Sequence, residues 1–215
     1  MIMNQLKVAF LPELDEMDSA SIEQVMEVKA PRVSIDRVNW PEFPYKPVVA
    51  VSVARSERDL YLLYRVWGNS LKASAGTDDT PVHRDSCVEF FMRKEGSPQY
   101  MNFEFNCAGT CDAARRLSRE EKTSLTPEEY RSIRRYPSVE RRTFDEIPGL
   151  HAWSLLVAIP FAVMGLDPAR LPERIWGNFY KCADDTAQPH FLSWNPIDLP
   201  APDFHCPAFF GEIYL

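Results

Sequence analysis

Residues 84–110 read RDSCVEFFMRKEGSPQYMNFEFNCAGT, and this stretch decides the fold. Val88, Phe90 and Met92 alternate along its first half, and Met101, Phe103, Phe105 and Cys107 along its second. A two-residue period over this length predicts two β-strands, and Gly96, Ser97 and Pro98 supply the turn between them. The opposite faces carry Cys87, Glu89 and Phe91 on one strand and Tyr100, Asn102, Glu104 and Asn106 on the other. If both apolar faces share one core, the strands must pair with a fixed parity, because a slip of one residue turns a whole strand over. The register that pairs Met92 with Met101 then sets Glu89 opposite Glu104 and Cys87 opposite Asn106. Two facing carboxylates repel. The pair therefore calls for a Lys or Arg from another strand, a metal ion or a hydroxyl-rich ligand above it.

Working outward, the rest of the chain reads as strands and loops. Lys7–Leu11 and Val25–Ile35 are expected as short strands, and the proline-broken segment Trp40–Pro47 as an ordered loop. Residues 48–66 read as a hairpin, ended by Trp67-Gly-Asn-Ser. Thr126-Pro-Glu-Glu carries a helix start, with Thr126 as N-cap and Glu129 completing a capping box. Residues 153–159, 174–183, 190–194 and 209–215 complete the strand set. About ten short strands with proline- and glycine-marked turns, and almost no long amphipathic helix, predict an all-β protein. The expected fold is a β-sandwich of two mostly antiparallel sheets with short helical turns, one domain over 1–215 whose first 45 residues are the least informative.

Composition narrows the function. The 215 residues carry a formal net charge of −7, with 45% hydrophobic and 26% charged residues, which is globular. An acidic surface argues against nonspecific nucleic-acid or anionic-membrane binding. The arginines between Arg131 and Arg142 are expected to form ion pairs or a solvated strand face. Five cysteines without a C-x-x-C pair, and Cys107 and Cys111 without a nearby histidine, do not make a zinc site. The N-terminus lacks a basic start and an apolar core, so no signal peptide is expected, although export stays open. No run approaches the roughly 20 apolar residues of a membrane span. Nucleotide-binding glycine loops and the G-x-S-x-G elbow are absent.

What remains is a set of aromatic and polar residues near strand ends. These are Trp67, Asn69, His83, Arg84, Glu89, Asn106, Asn178, Lys181, His190, Trp194 and Asn195. Rings beside carboxylates, amides and cations can stack on the C–H face of a sugar and bond its hydroxyls. Trp153 and Trp176 read as core, whereas Trp67 and Trp194 adjoin chain breaks and are expected to be exposed.

The blocks DSCVEFFMR, NFEFNCAGT, NFYKCADD, PHFLSWNPI and PDFHCPAFFGEIYL resemble the family 9 carbohydrate-binding modules, and most closely the family 9-like group of Bacteroides-type bacteria. The resemblance runs over roughly 160 residues. It implies a β-sandwich that binds mono- or oligosaccharides without catalysis, a role in polysaccharide utilisation, and calcium ions that stabilise loops. Carried over by block, Glu89 is the acidic sugar contact, Asn178 and Lys181 are polar contacts, and Trp194 is one of two stacking tryptophans; the resemblance also implies that Glu104 is held by an internal cation, with Lys181 or Arg116 the candidates. The other tryptophan position reads Val82-His83-Arg84 here, so the resemblance leaves His83 to stack or Arg84 to bond a hydroxyl. Asp78 and Asp79 are the candidate calcium ligands. Two further classes fit the residues alone: a glycoside hydrolase using Glu89 and Glu104 as its carboxylate pair, and a haem-binding sandwich with His83 or His205 as axial ligand.

Overall fold

The computed structural model of the protein describes residues 3–215. In chain order the strands are β1 (Gln5–Lys7), β2 (Ala9–Phe10), β3 (Arg32–Ser34), β4 (Arg37–Val38), β5 (Val48–Arg55), β6 (Asp59–Ala73), β7 (Cys87–Lys94) and β8 (Tyr100–Asn106). They continue with β9 (Cys111–Arg116), β10 (Lys122–Ser124), β11 (Arg134–Pro137), β12 (Phe144–Pro160), β13 (Arg174–Cys182), β14 (Phe191–Ser193) and β15 (Gly211–Tyr214). Two helices, α1 (Ser19–Lys29) and α2 (Pro127–Ser132), interrupt them. Among the described residues no helix is long and apolar enough to cross a membrane.

The strands form two sheets. The first runs β1-β15-β13-β7-β8-β9-β10, with β14 and β4 added beside β13, and the second runs β11-β12-β6-β5-β2, with β3 also on β5. Pairing is antiparallel except at β1–β15 and β2–β5. Strands β7 and β8 adopt the expected Met92–Met101 register, which keeps the parity that alternation requires: Glu89 pairs Glu104 and Cys87 pairs Asn106. Gly96 turns the chain between them at φ +69°. Val88, Phe90, Phe103, Phe105 and Phe179 thus face Val51, Val53, Leu62, Tyr64, Leu155 and Val157 of the second sheet in one buried core.

Both outer faces are also covered. On the second sheet, α1 seats Ile22 and Met26 against Tyr61, Leu63, Leu156 and Ala158. Residues 25–29 are therefore helical, where alternation predicted a strand. Asp18 caps Ser21 N at 2.8 Å, and one apolar residue per turn, four apart, is enough to dock a helix once capped. Val28, whose branched side chain favours a strand, simply points to solvent. The other difference is at Trp67-Gly-Asn-Ser. The chain does not stop there: β6 runs on to Ala73, paired with β12 across two register irregularities. The capping box at Thr126 forms as predicted, and Arg134 and Arg135 find Asp59 and Asp78.

The outer face of the first sheet carries a third apolar cluster. Trp40 arrives from the N-terminal loop and Phe204 and Phe210 from the C-terminal segment, and they pack on Phe91, Tyr100 and Tyr180. Tyr180 stacks on Phe204 with ring centroids 4.2 Å apart, and Trp40 Nε1 donates to Leu199 O at 2.9 Å. This cover explains why all seven residues of β8 are buried, its polar face included.

Candidate ligand-binding site

The cover is incomplete above the middle of the first sheet. There β7, β8 and β9 place three carboxylates in one row, with Glu89 paired to Glu104 and Glu104 paired to Asp112. Neighbouring strands lie about 4.8 Å apart, so such a row extends over about 10 Å. A cavity of about 330 Å³ opens above it, walled by Phe91, Phe191, Phe204 and His205 and joined by Asp184. His83 and Arg119 stand at its mouth, partly or largely exposed.

The floor is short of hydrogen-bond donors. Glu89 Oε1 accepts from the thiols of Cys182 at 3.0 Å and Cys87 at 3.8 Å, but Oε2 is buried without a partner. Asp112 Oδ1 and Asp184 Oδ1 are likewise buried and unpartnered. Glu104 Oε1 accepts from Asn102 Nδ2 at 3.1 Å, and Asn102 Oδ1 accepts from Arg116 Nε at 2.6 Å. Arg116 therefore reaches Glu104 through an amide rather than directly. Lys181, the other candidate cation, lies on the opposite face of the sheet, in register with Val88.

Burial dominates the titration of this floor. It raises the Glu89 carboxyl to about 8, and it raises Glu104, Asp112 and Asp184, with neighbouring carboxylates adding to the effect at Glu104. Burial also holds His83 below its usual value and takes His205 to about 3. Glu89 is therefore mostly a neutral acid at pH 7, with neutral histidines beside it.

Of the residues singled out in the sequence, the structure brings Glu89, Glu104, His83, His205 and Arg116 to the cavity, together with Asp79 of the GTDDTP loop. Arg84 is largely exposed next to it, 3.8 Å from Asp185. The others take different places. Asn106 is fully buried, donates to Ala75 O and Asp85 Oδ2, and accepts from the backbone of Ala108 and Thr110. It fixes Asp85, and so the turn that carries His83. Asn178 donates to Asn195 O and accepts from the backbone N–H groups of Phe179 and Asn195, which pins β13 to the C-terminal segment. Lys181 Nζ donates to Cys182 O at 2.6 Å and meets His190 Nε2 at 2.9 Å.

The tryptophans divide against expectation. Trp67 is half exposed, as expected, but on the outer face of the second sheet, where its register partner Val48 is also exposed. Trp194, expected at the surface, is only 5% exposed and packs on Phe179 with centroids 5.6 Å apart. Its ring fits because Gly211 presents no Cβ: one placed there would lie 2.7 Å from Trp194 Cζ3.

Several cavity residues escaped the sequence reading. Asp112 was within reach, because Cys111 and Ala113 face the core and alternation turns Asp112 and Arg116 outward beside Glu104. Asp184 and Phe204 lie on irregular segments whose approach to β7 no local pattern announces.

The residues proposed for calcium do not fit it. Hard cations take six or more oxygen ligands. Both Asp78 oxygens bond the Arg135 guanidinium, at 2.7 and 3.0 Å, and Oδ1 also accepts from Cys111 N. Asp79 Oδ1 accepts from Ser124 Oγ. Elsewhere among the described residues, Cys87, Glu89 and Cys182 converge closely enough to share an ion. Burial drives both thiols up, Cys87 to about 12, so they stand as S–H donors to Glu89.

Comparison with known proteins agrees with this architecture. The sequence profile of carbohydrate-binding family 9 matches residues 20–215. The chain belongs to carbohydrate-binding family 9. Its fold is shared with a candidate carbohydrate-binding protein from Bacteroides uniformis, at 34% identity and TM-score 0.93 over 99% of each chain. Two structures of a family 9 module from Caldicellulosiruptor kristjanssonii are more distant relatives in fold, each 12% identical. One, in complex with glucose, has TM-score 0.60 over 98% of this chain and 95% of that one. The other, in complex with cellotriose, has TM-score 0.58 over 98% and 93%. No curated protein matches by sequence. This family 9 chain thus sets Glu89, the acid carried over from the family motif, on the floor of an open cavity, while Trp194 serves its core.

Proposed function

We propose that the protein binds a carbohydrate, without catalysis, in the cavity above the Glu89–Glu104–Asp112 row. The observation that carries this reading is that three residues with an unpartnered carboxyl oxygen, Glu89, Asp112 and Asp184, line one cavity walled by aromatic rings. A buried acceptor without a donor is costly, and a ligand that supplies donors recovers that cost. Sugar hydroxyls are such donors, and the C–H face of a pyranose suits Phe91, Phe191 and Phe204. A volume of about 330 Å³ falls at the small end of ligand pockets and suits one sugar unit or the end of a chain. The relatives of known ligand, which hold glucose and cellotriose, support the same class.

In this reading Glu89 is the central contact, with Glu104, Asp112 and Asp184 around it and His83 and Arg119 at the mouth. Arg84 extends the rim. Asn106, Asn178, Lys181 and Trp194 act from behind, by holding the strands and turns that shape the cavity. The test is calorimetric titration against a panel of neutral, acidic and basic mono- and oligosaccharides, with chromatography of the recovered sugar. Saturable binding that Glu89→Gln weakens at least tenfold, with the sugar returned intact, is the expected result. Failure of every glycan to bind, or release of shorter products, overturns the reading.

A further inference from the structure

The sign of the charge lining the cavity goes further than the class of ligand. Seven carboxylates line it against three Lys or Arg side chains and two histidines. Of the four deepest, Glu89, Asp112 and Asp184 face no Lys or Arg within ion-pair distance, and Glu104 has only the His83 ring at 3.8 Å. The cations are committed elsewhere. Arg116 bonds Asn102 and Arg119 O, Arg119 leans to Asp203 at the mouth, and Lys122 is exposed. His205 is held by Tyr100 at 3.1 Å. Across the row, then, acids outnumber the cations that line the cavity, and none of the four deepest pairs with a Lys or Arg.

On this basis, and resting on the carbohydrate reading above, we infer that the preferred ligand is a sugar with a free amine, a hexosamine unit rather than a neutral or uronic sugar. An ammonium offers three donors from one atom and a full positive charge. Placed over Glu89, it lies beside a carboxyl whose Oε2 has no hydrogen-bond partner and within one strand spacing of Glu104. A uronate would add a further negative charge, and an N-acetyl group removes the charge and two of the donors.

The inference carries a proton balance. Burial leaves Glu89 largely protonated in the free protein at pH 7, and an adjacent ammonium favours the carboxylate. Binding then follows Glu–COOH plus R–NH₃⁺ to Glu–COO⁻···⁺H₃N–R plus one proton released to the buffer. A neutral sugar releases none by this route.

The experiment titrates glucosamine, glucose, N-acetylglucosamine and glucuronate into the full chain at pH 7. Each titration is repeated in two buffers of different ionisation enthalpy. Glucosamine is expected to bind at least tenfold more tightly than the other three, with a proton released on binding. Glu89→Gln, which keeps the shape of the site, should remove both the preference and the proton release. Asp112→Asn, on a different strand, should reduce the preference in part. Equal affinity for glucose and glucosamine, or a preference for glucuronate, overturns the amine inference and leaves carbohydrate binding standing. Binding of no sugar at all overturns both.

Discussion

Glu89 and Glu104 stand directly opposite each other on adjacent antiparallel strands, both buried, and neither has a Lys or Arg within ion-pair distance among the described residues. One answer to their repulsion is the proton: each carboxyl is raised by burial, and Glu104 is raised further by Glu89. The other answer is a relay through Asn102 from Arg116.

The proton makes stability depend on pH. Glu89 ionises near 4.5 in an unfolded chain and near 8 in the folded one. Between these values the folded state holds a proton that the unfolded state has lost, so stability falls as pH rises. The contribution is whole below about 4.5 and is lost as pH passes about 8. Glu104, Asp112 and Asp184 shift in the same direction and reinforce it. Thermal melts should give a higher Tm at pH 5.5 than at pH 8.5. Glu89→Gln should reduce that difference and raise Tm at pH 8.5 by a few degrees, each kcal/mol being about 2–4 °C in a chain of this size. A Tm that rises with pH over this range would contradict the assignment.

The relay makes a second claim. Arg116 is buried and donates to Asn102 Oδ1 and Arg119 O, both at 2.6 Å. Arg116→Ala should cost about 1.5–3 kcal/mol in urea unfolding, the range for charged hydrogen bonds. Arg116→Lys should recover little of it, because an ammonium cannot reproduce the planar fork. Full rescue by lysine would mean that charge alone matters here.

Trp194 tests frame against contact. Packed on Phe179 and tucked against Gly211, it should behave as core. Trp194→Ala is expected to cost about 3–5 kcal/mol of stability. Trp194→Phe should keep the fold and change sugar affinity less than twofold. A large loss of affinity in a well-folded Trp194→Phe variant would return the residue to the ligand.

The Asp78 loop should depend on arginine, not on metal. Asp78→Ala breaks the two-pronged bond from Arg135 and the cap on Cys111 N, so Tm should drop by several degrees. Adding a chelator to the unaltered protein should leave Tm within a degree. A chelator-induced drop that Asp78→Ala abolishes would place an ion at this loop after all.

Much of the scaffold was legible in the residues themselves. Alternation along 87–107 narrows the pairing to registers that keep both apolar faces together, because parity is a local property of a pleated strand, and the Met92–Met101 register among them pairs Glu89 with Glu104. Thr126 and Glu129 announced their helix by capping, another local rule. Helix α1 was missed because its evidence is tertiary: Ile22 and Met26 mean little until Tyr61 and Leu156 lie beneath them. The site divides in the same way. In the sequence, the Met92–Met101 register sets two acids opposite each other, and alternation could have added Asp112. Only the tertiary structure decided that Trp40 and Phe204 would bury that face, that Trp194 would turn into the core, and that a gap would remain over Glu89. These outcomes come from segments without periodicity meeting strands about a hundred residues away, such as His205 over Phe91. Contacts of that kind depend on how whole layers pack, and no repeating local pattern encodes them.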